Sequence, residues 1–257
     1  MGTVLITGSS RGLGLSFARL CAKRGDAVLL HGRNEQRLLQ AQEALKSEVP
    51  GADIRYFVQD LAEEDGALKL YEQVKDLGVT MLINNAGVGY TGPAAEISAQ
   101  REKNMVQINV LAVVQMTRLF LADMEECGGT ILNISSTGAF QYGPLIAEYY
   151  ASKSFVLSYT KAAAREWQGT PVCICCFCPG PLRTDFYAES GLAVPRIAMD
   201  PDQAAEYALS HIRHGAVIIP DLLSRAVRVL PERLRSEWVW QDKKRALRKK
   251  HSCMKQR

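Results

Sequence analysis

Residues 149–153, YYASK, place two phenols and one ammonium within five positions. A phenol near pKa 10 is a poor proton donor or acceptor at neutral pH. A lysine one helical turn away changes that, because its charge favours the phenolate and lowers the phenol's pKa. Such a pair can give a proton to, or take one from, the oxygen of a bound molecule. The pattern leaves open which phenol acts, Tyr149 or Tyr150. It also recurs at residues 71–75, YEQVK, which reads as an exposed helix turn.

Chemistry of this kind needs a scaffold that holds the helix against a ligand. The chain has 257 residues, 47% hydrophobic and 23% charged, the profile of a globular protein. Seven short apolar runs recur along it: TVLIT, AVLLH, IRYFV, TMLIN, TILNIS, VCICCF and AVIIP. They lack polar alternation, as strands covered on both faces do. Longer amphipathic stretches separate them. This alternation predicts an α/β protein, a doubly wound parallel sheet of seven strands with helices on both faces. One domain is expected over residues 1–220, followed by a helical basic extension over 221–257. No apolar run is expected to span a bilayer. The first strand-like run starts at Thr3, which leaves no room for a signal peptide, so a cytoplasmic location is expected.

After the first run comes TGSSRGLG, residues 7–14, with Gly8, Gly12 and Gly14 at a strand-to-helix turn. Gly8 permits a tight turn. Gly12 and Gly14 let the backbone approach a pyrophosphate at the helix N-terminus. A site for NAD usually has an acid at the end of the second strand to hold the ribose hydroxyls. This chain has HGRN there, residues 31–34. Arg33 at the strand end and Arg11 in the loop offer two guanidinium forks suited to a 2′-phosphate. The expected cofactor is therefore NADP(H).

No metal is expected. The four histidines are scattered at 31, 211, 214 and 251. Four of the seven cysteines lie in CICCFC, residues 173–178, where they alternate across a strand and cannot converge on one tetrahedral ion. They read as buried, reduced, small hydrophobes. Net charge is +4, yet residues 243–257 carry eight Lys or Arg and no acid. Without those eight, 23 basic residues face 27 acidic ones, a balance of −4. A basic groove for nucleic acid is not expected in such a body.

Taken in order, these motifs resemble the single-domain short-chain dehydrogenase/reductase family, with a Rossmann-type fold over about residues 2–220. TGSSRGLG resembles its cofactor loop. Asp60 and Leu61 resemble the pair that holds the adenine, and NNAG, residues 84–87, the segment beside the adenosine. PGPLRT, residues 179–184, resembles the loop whose threonine binds the nicotinamide amide. The spacing from Ser136 to tyrosine to Lys153 in that family selects Tyr149 and leaves Tyr150 to packing or lining. The resemblance implies catalytic roles for Asn109, Ser136, Tyr149 and Lys153. In these roles Lys153 also grips the nicotinamide ribose, and Asn109 keeps a water that links it to solvent. It implies cofactor contacts from Gly8, Ser10, Arg11, Gly12, Leu13, Gly14, Arg33, Asp60, Leu61, Asn85, Ala86, Gly87, Tyr149, Lys153, Pro179, Gly180 and Thr184. It further implies a homodimer or homotetramer that pairs the helices near 99–127 and 145–168 between subunits.

The function expected is reduction of a ketone, or oxidation of a secondary alcohol, by hydride transfer. Two other classes compete: a dinucleotide sensor without activity, and an epimerase or dehydratase of nucleotide sugars. Relatives of the first kind tend to lose the tyrosine or the lysine. The second needs a larger C-terminal substrate domain than the 37 residues beyond residue 220. Phe140, Tyr142, Leu145, Ile146, Phe186, Tyr187 and Leu192 are expected to line an apolar pocket for a steroid or 3-ketoacyl group. In the extension, Leu222, Leu223, Ala226, Val227 and Leu230 form one helical stripe. Leu234, Trp238, Trp240 and Leu247 then stand among many cations. That segment either packs on the body with a solvated end, or touches an anionic membrane surface.

Overall fold

A computed structural model describes residues 2–190, 192, 194–227 and 229–254, without the side chains of residues 188, 189, 222, 223, 227 and 247–254. Among the described residues, all seven apolar runs become strands. They are β1 (Thr3–Ile6), β2 (Ala27–Gly32), β3 (Ile54–Val58), β4 (Val79–Asn84), β5 (Gly129–Ile134), β6 (Val172–Phe177) and β7 (Val217–Ile218). Their order is β3-β2-β1-β4-β5-β6-β7, parallel throughout. The chain winds outward from β1 to β3 and then returns to lay β4 on the other side of β1. Successive connections therefore leave β1 and β4 on opposite faces, which opens a crevice beyond their C-terminal ends.

The helices are α1 (Gly12–Lys23), α2 (Glu35–Glu48), α3 (Gly66–Val74), α4 (Ala99–Val106), α5 (Ala112–Met124), α6 (Ala147–Glu166), α7 (Phe186–Glu189), α8 (Pro201–Ser210), α9 (Leu222–Val227) and α10 (Glu232–Met254). Side chains alternate across each strand, so the sheet builds two cores. On one face Val4, Ile6, Leu30 and Phe177 meet Phe17 of α1, Leu38 of α2 and Ala204 of α8. On the other, Leu5, Leu82 and Ile131 meet Leu70 of α3 and Met116 and Phe120 of α5.

Two sequence expectations need correction. The continuous helix Ala99–Met124 is long and apolar enough to cross a membrane by length and composition, although no such run was expected. Half of its apolar window is buried in the protein, with Met116 and Phe120 fully enclosed, so it serves as a core helix. Tyr71 is not simply exposed. Its hydroxyl donates to Asp123 at 2.8 Å and its ring stands edge-on to Phe120 at 5.5 Å, which makes it a packing residue. On the outer faces of the helices expected to pair between subunits, Val106, Leu111 and Phe155 remain exposed.

A buried polar chain ties β4 and β5 to the helices above them. Asn84 and Asn133 are register partners in the sheet. The Asn84 amide donates to Asn133 Oδ1 at 2.8 Å and to the Thr117 hydroxyl at 3.2 Å, and Asn133 Nδ2 donates to Thr160 at 3.0 Å. Leaving one member without its partners costs about 1–3 kcal/mol. Asn133→Val is accordingly expected to destabilise the protein by about 2 kcal/mol in urea unfolding, with an unchanged m-value. A change close to zero would show that the chain contributes nothing to stability.

Candidate active site

The crevice begins where β1 ends. Thr7 Oγ1 accepts hydrogen bonds from the backbone N–H groups of Asn85 (2.9 Å) and Ala86 (3.0 Å). The Asn85 amide donates back to the carbonyls of Thr7 (2.9 Å) and Gly8 (3.0 Å). The ends of β1 and β4 are thus stitched together by side chains. Gly8 has φ +66°, and a Cβ there would lie 2.9 Å from Ala86 Cα; a Cβ on Gly14 would lie 2.4 Å from the Gly8 carbonyl oxygen. Only glycine permits these approaches. α1 then starts with Arg11 as an N-cap that makes no side-chain capping bond, and with no acid in its first turn. The positive end of the helix is left for an anion.

Two supports of this loop were not singled out from the sequence. Thr7 carried a readable signal, as the threonine that closes the first strand. His31 carried none, because a histidine inside an apolar strand reads as a core residue. It is buried on β2, where Nδ1 accepts from the Gly8 N–H at 3.3 Å and Nε2 donates to the Gln59 carbonyl at 3.0 Å. Burial pushes its pKa down to about 4, so the ring that braces the loop is neutral.

A cleft of about 570 Å³ runs from this loop to the tip of α6. Every expected cofactor contact lines it: Gly8, Ser10, Arg11, Gly12, Leu13, Gly14, Arg33, Asp60, Leu61, Asn85, Ala86, Gly87, Tyr149, Lys153, Pro179, Gly180 and Thr184. Arg11 lies 3.4 Å from Asp185, and Arg33 lies 3.9 Å from Asp60. Arg37, which the sequence reading passed over, lines the same end in the first turn of α2, where Asn34 caps its N–H at 2.9 Å. Three guanidinium groups therefore border the place where a 2′-phosphate was expected.

At the far end, β5 delivers Ile134, Ser135 and Ser136 beneath α6. The Ser135 hydroxyl donates to the Lys153 carbonyl at 2.7 Å, and Lys153 Nζ donates to the Ile134 carbonyl at 2.9 Å. The lysine side chain is buried, with Nζ 5.8 Å from the Tyr149 ring centroid. Tyr149 and Ser136 both line the cleft, and the Ser136 hydroxyl is the neighbour that favours the Tyr149 phenolate. Tyr150 lines the cleft as well and packs on the loop before α6, its ring so close to Gly143 that a Cβ there would lie 2.6 Å away.

The electrostatics differ from the expectation of a lowered phenol pKa. Burial pushes Tyr149 up to about 12, which the neighbouring Ser136 hydroxyl only partly offsets. Burial also pulls Lys153 down to about 8. In the protein without ligand, desolvation of the charged forms outweighs the attraction between ammonium and phenolate.

Asn109 is the one expected catalytic residue that does not line the cleft. It sits in a π-helical turn, Gln107–Leu111, between α4 and α5, and is fully buried. Its amide accepts from the Val88 N–H at 2.9 Å and donates to the Val88 carbonyl at 2.8 Å and to Ser152 at 3.0 Å. It joins the π-helical turn, the loop after β4 and α6 through Val88 and Ser152, the neighbour of Lys153.

The substrate end needs a correction. Ile146, Phe186, Tyr187 and Leu192 line the cleft as expected, but Phe140, Tyr142 and Leu145 do not. The short helical turn Thr137–Phe140 swings Phe140 against the cluster of Leu157, Cys176, Cys178 and Ile219, and Tyr142 points to solvent. Leu145 spends its conformation on the turn into α6, at φ +65°, with its carbonyl taken by the Gly92 N–H at 2.9 Å. Their place is filled by α10, from which Trp238, Val239, Asp242 and Lys243 border the cleft. Arg235 Nη1 anchors that helix on the Phe140 carbonyl at 2.8 Å. Of the expected apolar residues of the extension, the side chains of Leu222, Leu223, Val227 and Leu247 lie outside the described residues.

The family model for short chain dehydrogenases matches residues 2–193. Ketoacyl reductase HetN of Nostoc sp. is 33% identical over 200 residues, covering 76% of this chain and 69% of that protein. The human very-long-chain 3-oxoacyl-CoA reductase is 33% identical over 173 residues, covering 65% of this chain; the match spans only 55% of that protein's length. Among solved structures, a short-chain dehydrogenase from Sphingobium yanoikuyae in complex with NADPH superposes with a TM-score of 0.82 at 26% identity, covering 89% of this chain and 92% of that one. A 3-ketoacyl-(acyl-carrier-protein) reductase from Brucella melitensis complexed with NADH superposes with a TM-score of 0.74 at 26% identity, covering 85% and 96%. With the glycine loop, the Ser136–Tyr149–Lys153 cluster and the reversal of strand order assembled around one cleft, the chain belongs to the short-chain dehydrogenase/reductase family of oxidoreductases.

Proposed function

We propose that the protein is an NADPH-dependent reductase of hydrophobic ketones, able to run in reverse as a secondary-alcohol dehydrogenase, in the cytoplasm. The observation that carries this reading is the convergence of Ser136, Tyr149 and a buried Lys153 on one cleft whose other end is rimmed by Arg11, Arg33 and Arg37. The residues fit a dinucleotide: the crowding at Gly8 and Gly14 leaves backbone, not side chain, facing the cleft beside an uncapped helix N-terminus. Gly12–Gly14 would hold the pyrophosphate, the arginines the 2′-phosphate, Asp60 and Leu61 the adenine, Lys153 the nicotinamide ribose and Thr184 the carboxamide. When bound, NADPH supplies the hydride.

The chain's own residues supply the rest. Ser136 holds the carbonyl oxygen by hydrogen bond and stabilises the negative charge that builds there. Tyr149 gives that oxygen its phenolic proton, completing the alcohol. The ammonium of Lys153 favours the phenolate left behind. Asn109 fixes α6 from behind through Ser152. Aromatic and apolar walls from Phe186, Tyr187, Leu192 and Trp238 support a hydrophobic substrate such as a steroid or 3-ketoacyl group.

Tyr149→Phe is expected to cut kcat for ketone reduction by about 10²–10⁴-fold while leaving NADPH affinity nearly intact, because only the proton-transfer group is removed. Tyr150→Phe should keep most of the activity. An active Tyr149 variant beside a dead Tyr150 variant would assign the proton to the wrong tyrosine here, and NADPH binding with no turnover on any ketone would point to a sensor instead.

Arg33→Asp is expected to weaken NADPH by about 10–100-fold relative to NADH, the loss of charge-assisted bonds to one phosphate. Steady-state kinetics with both cofactors reads the ratio. Equal efficiency with NADPH and NADH in the unaltered protein would overturn the assignment.

The pH profile of kcat/KM reports groups of the free enzyme. Lys153 serves as the ammonium, with its pKa pulled down to about 8, and Tyr149, held up to about 12, stays protonated throughout the accessible range. Reduction should therefore be level below pH 8 and fall as pH rises through about 8, approaching tenfold per unit. A profile flat to pH ~10 would show that the charge on Lys153 is dispensable for reduction.

A further inference from the structure

Helix α10 does more than close the cleft. Trp238 of α10 and Ile197 of the loop before α8 both border the cleft and are nevertheless 59% and 68% exposed. Leu234, one turn before Trp238, is 52% exposed. Large apolar side chains left in water around an opening mark a contact surface. The charge lies alongside. Immediately after the cleft-lining Lys243 the helix continues with Lys244 and Arg245, and the sequence over 243–257 holds eight cations and no acid on a body of net −4. Arg245 follows Trp238 by seven positions, two helical turns, so a cation stands on the same side of the helix as that indole.

We propose that this rim docks on the surface of an anionic lipid bilayer, with the mouth of the cleft facing the membrane. The cations of the helix end meet headgroup phosphates, and Trp238, Leu234 and Ile197 enter the boundary between headgroups and acyl chains. Indole suits that level because its ring is apolar and its N–H is polar. An acidic protein or a nucleic acid would use the cations but has no use for the apolar rim, and this decides between the occupants. Each cation held near an anionic surface raises partitioning by about fivefold before screening. Uptake of an apolar ketone from the bilayer follows if the proposed reductase activity is right. The docking itself does not rest on that activity.

The test is co-sedimentation of the full chain with vesicles of phosphatidylcholine plus phosphatidylglycerol and, separately, phosphatidylcholine alone, with tryptophan fluorescence read in parallel. The full chain should sediment with the mixed vesicles at low salt, with a blue shift, and be released at high salt. Replacing Lys244, Arg245, Arg248, Lys249 and Lys250 with Gln should lower binding by at least about tenfold. Ile197→Ser with Leu234→Ser, both at exposed positions, should lower it by about threefold or more while circular dichroism stays unchanged. No sedimentation with the mixed vesicles at low salt would overturn the proposal. So would binding that is indifferent to the serine pair and matched by binding to polyglutamate or single-stranded RNA, since the tail would then be a general ligand for polyanions. Ketone turnover, assayed without vesicles, tests the activity separately.

Discussion

The site depends on one ammonium taken out of water. Lys153 is only 4% exposed and is given a carbonyl, that of Ile134 at 2.9 Å, in place of solvent. Burying a charge is costly unless fixed dipoles replace its hydration. The backbone on both sides is arranged to do so: Ser135 locks the Lys153 carbonyl to the end of β5, and Gly87, which has no Cβ, leaves room for Nζ where a methyl would stand 3.3 Å away. Those contacts set the register of α6 on the sheet. They carry Tyr149 into the cleft beside Ser136, while burial pulls the lysine down to about 8 from its ordinary 10.5.

The other half of the cleft is built on the opposite principle. No buried charge holds the glycine loop. Neutral partners do: Thr7, Asn85, Ser9 and a neutral His31. A neutral scaffold leaves the dipole of α1 and the three border arginines as the local field, so an anion entering there meets attraction. Asp60 and Asp185 beside Arg33 and Arg11 temper that field in the free protein. The strand order reversal opens the cleft beyond β1 and β4, with the arginine rim at one end and Ser136, Tyr149 and Lys153 at the other.

The substrate side is shaped by segments distant in sequence. Phe186, Tyr187 and Leu192 come from the loop after β6, Ile146 from the start of α6, and Trp238 and Val239 from α10. The walls at this end of the cleft therefore come from loops and the C-terminal helix and not from the sheet itself. Asp242 and Lys243, paired at 2.9 Å, bring the only α10 charges to this wall among the described residues.

Much of the architecture was legible in the sequence, because its causes are local. Strands covered on both faces need unbroken apolar runs, and each of the seven was visible as one. A backbone that must pass within van der Waals contact of its neighbour needs glycine, and Gly8 and Gly14 stood where β1 ends. A tyrosine and a lysine four apart share a helix face wherever that helix lies. Tertiary structure alone decided the rest. It put Asn109 behind the cleft in a π-helical turn, turned Phe140 and Tyr142 out of the pocket, brought α10 over it, and reversed the expected shift of the Tyr149 pKa. These outcomes depend on which surfaces lose their water when elements far apart in the chain meet, and desolvation is a property of the assembled neighbours, which no spacing of residues along one segment encodes.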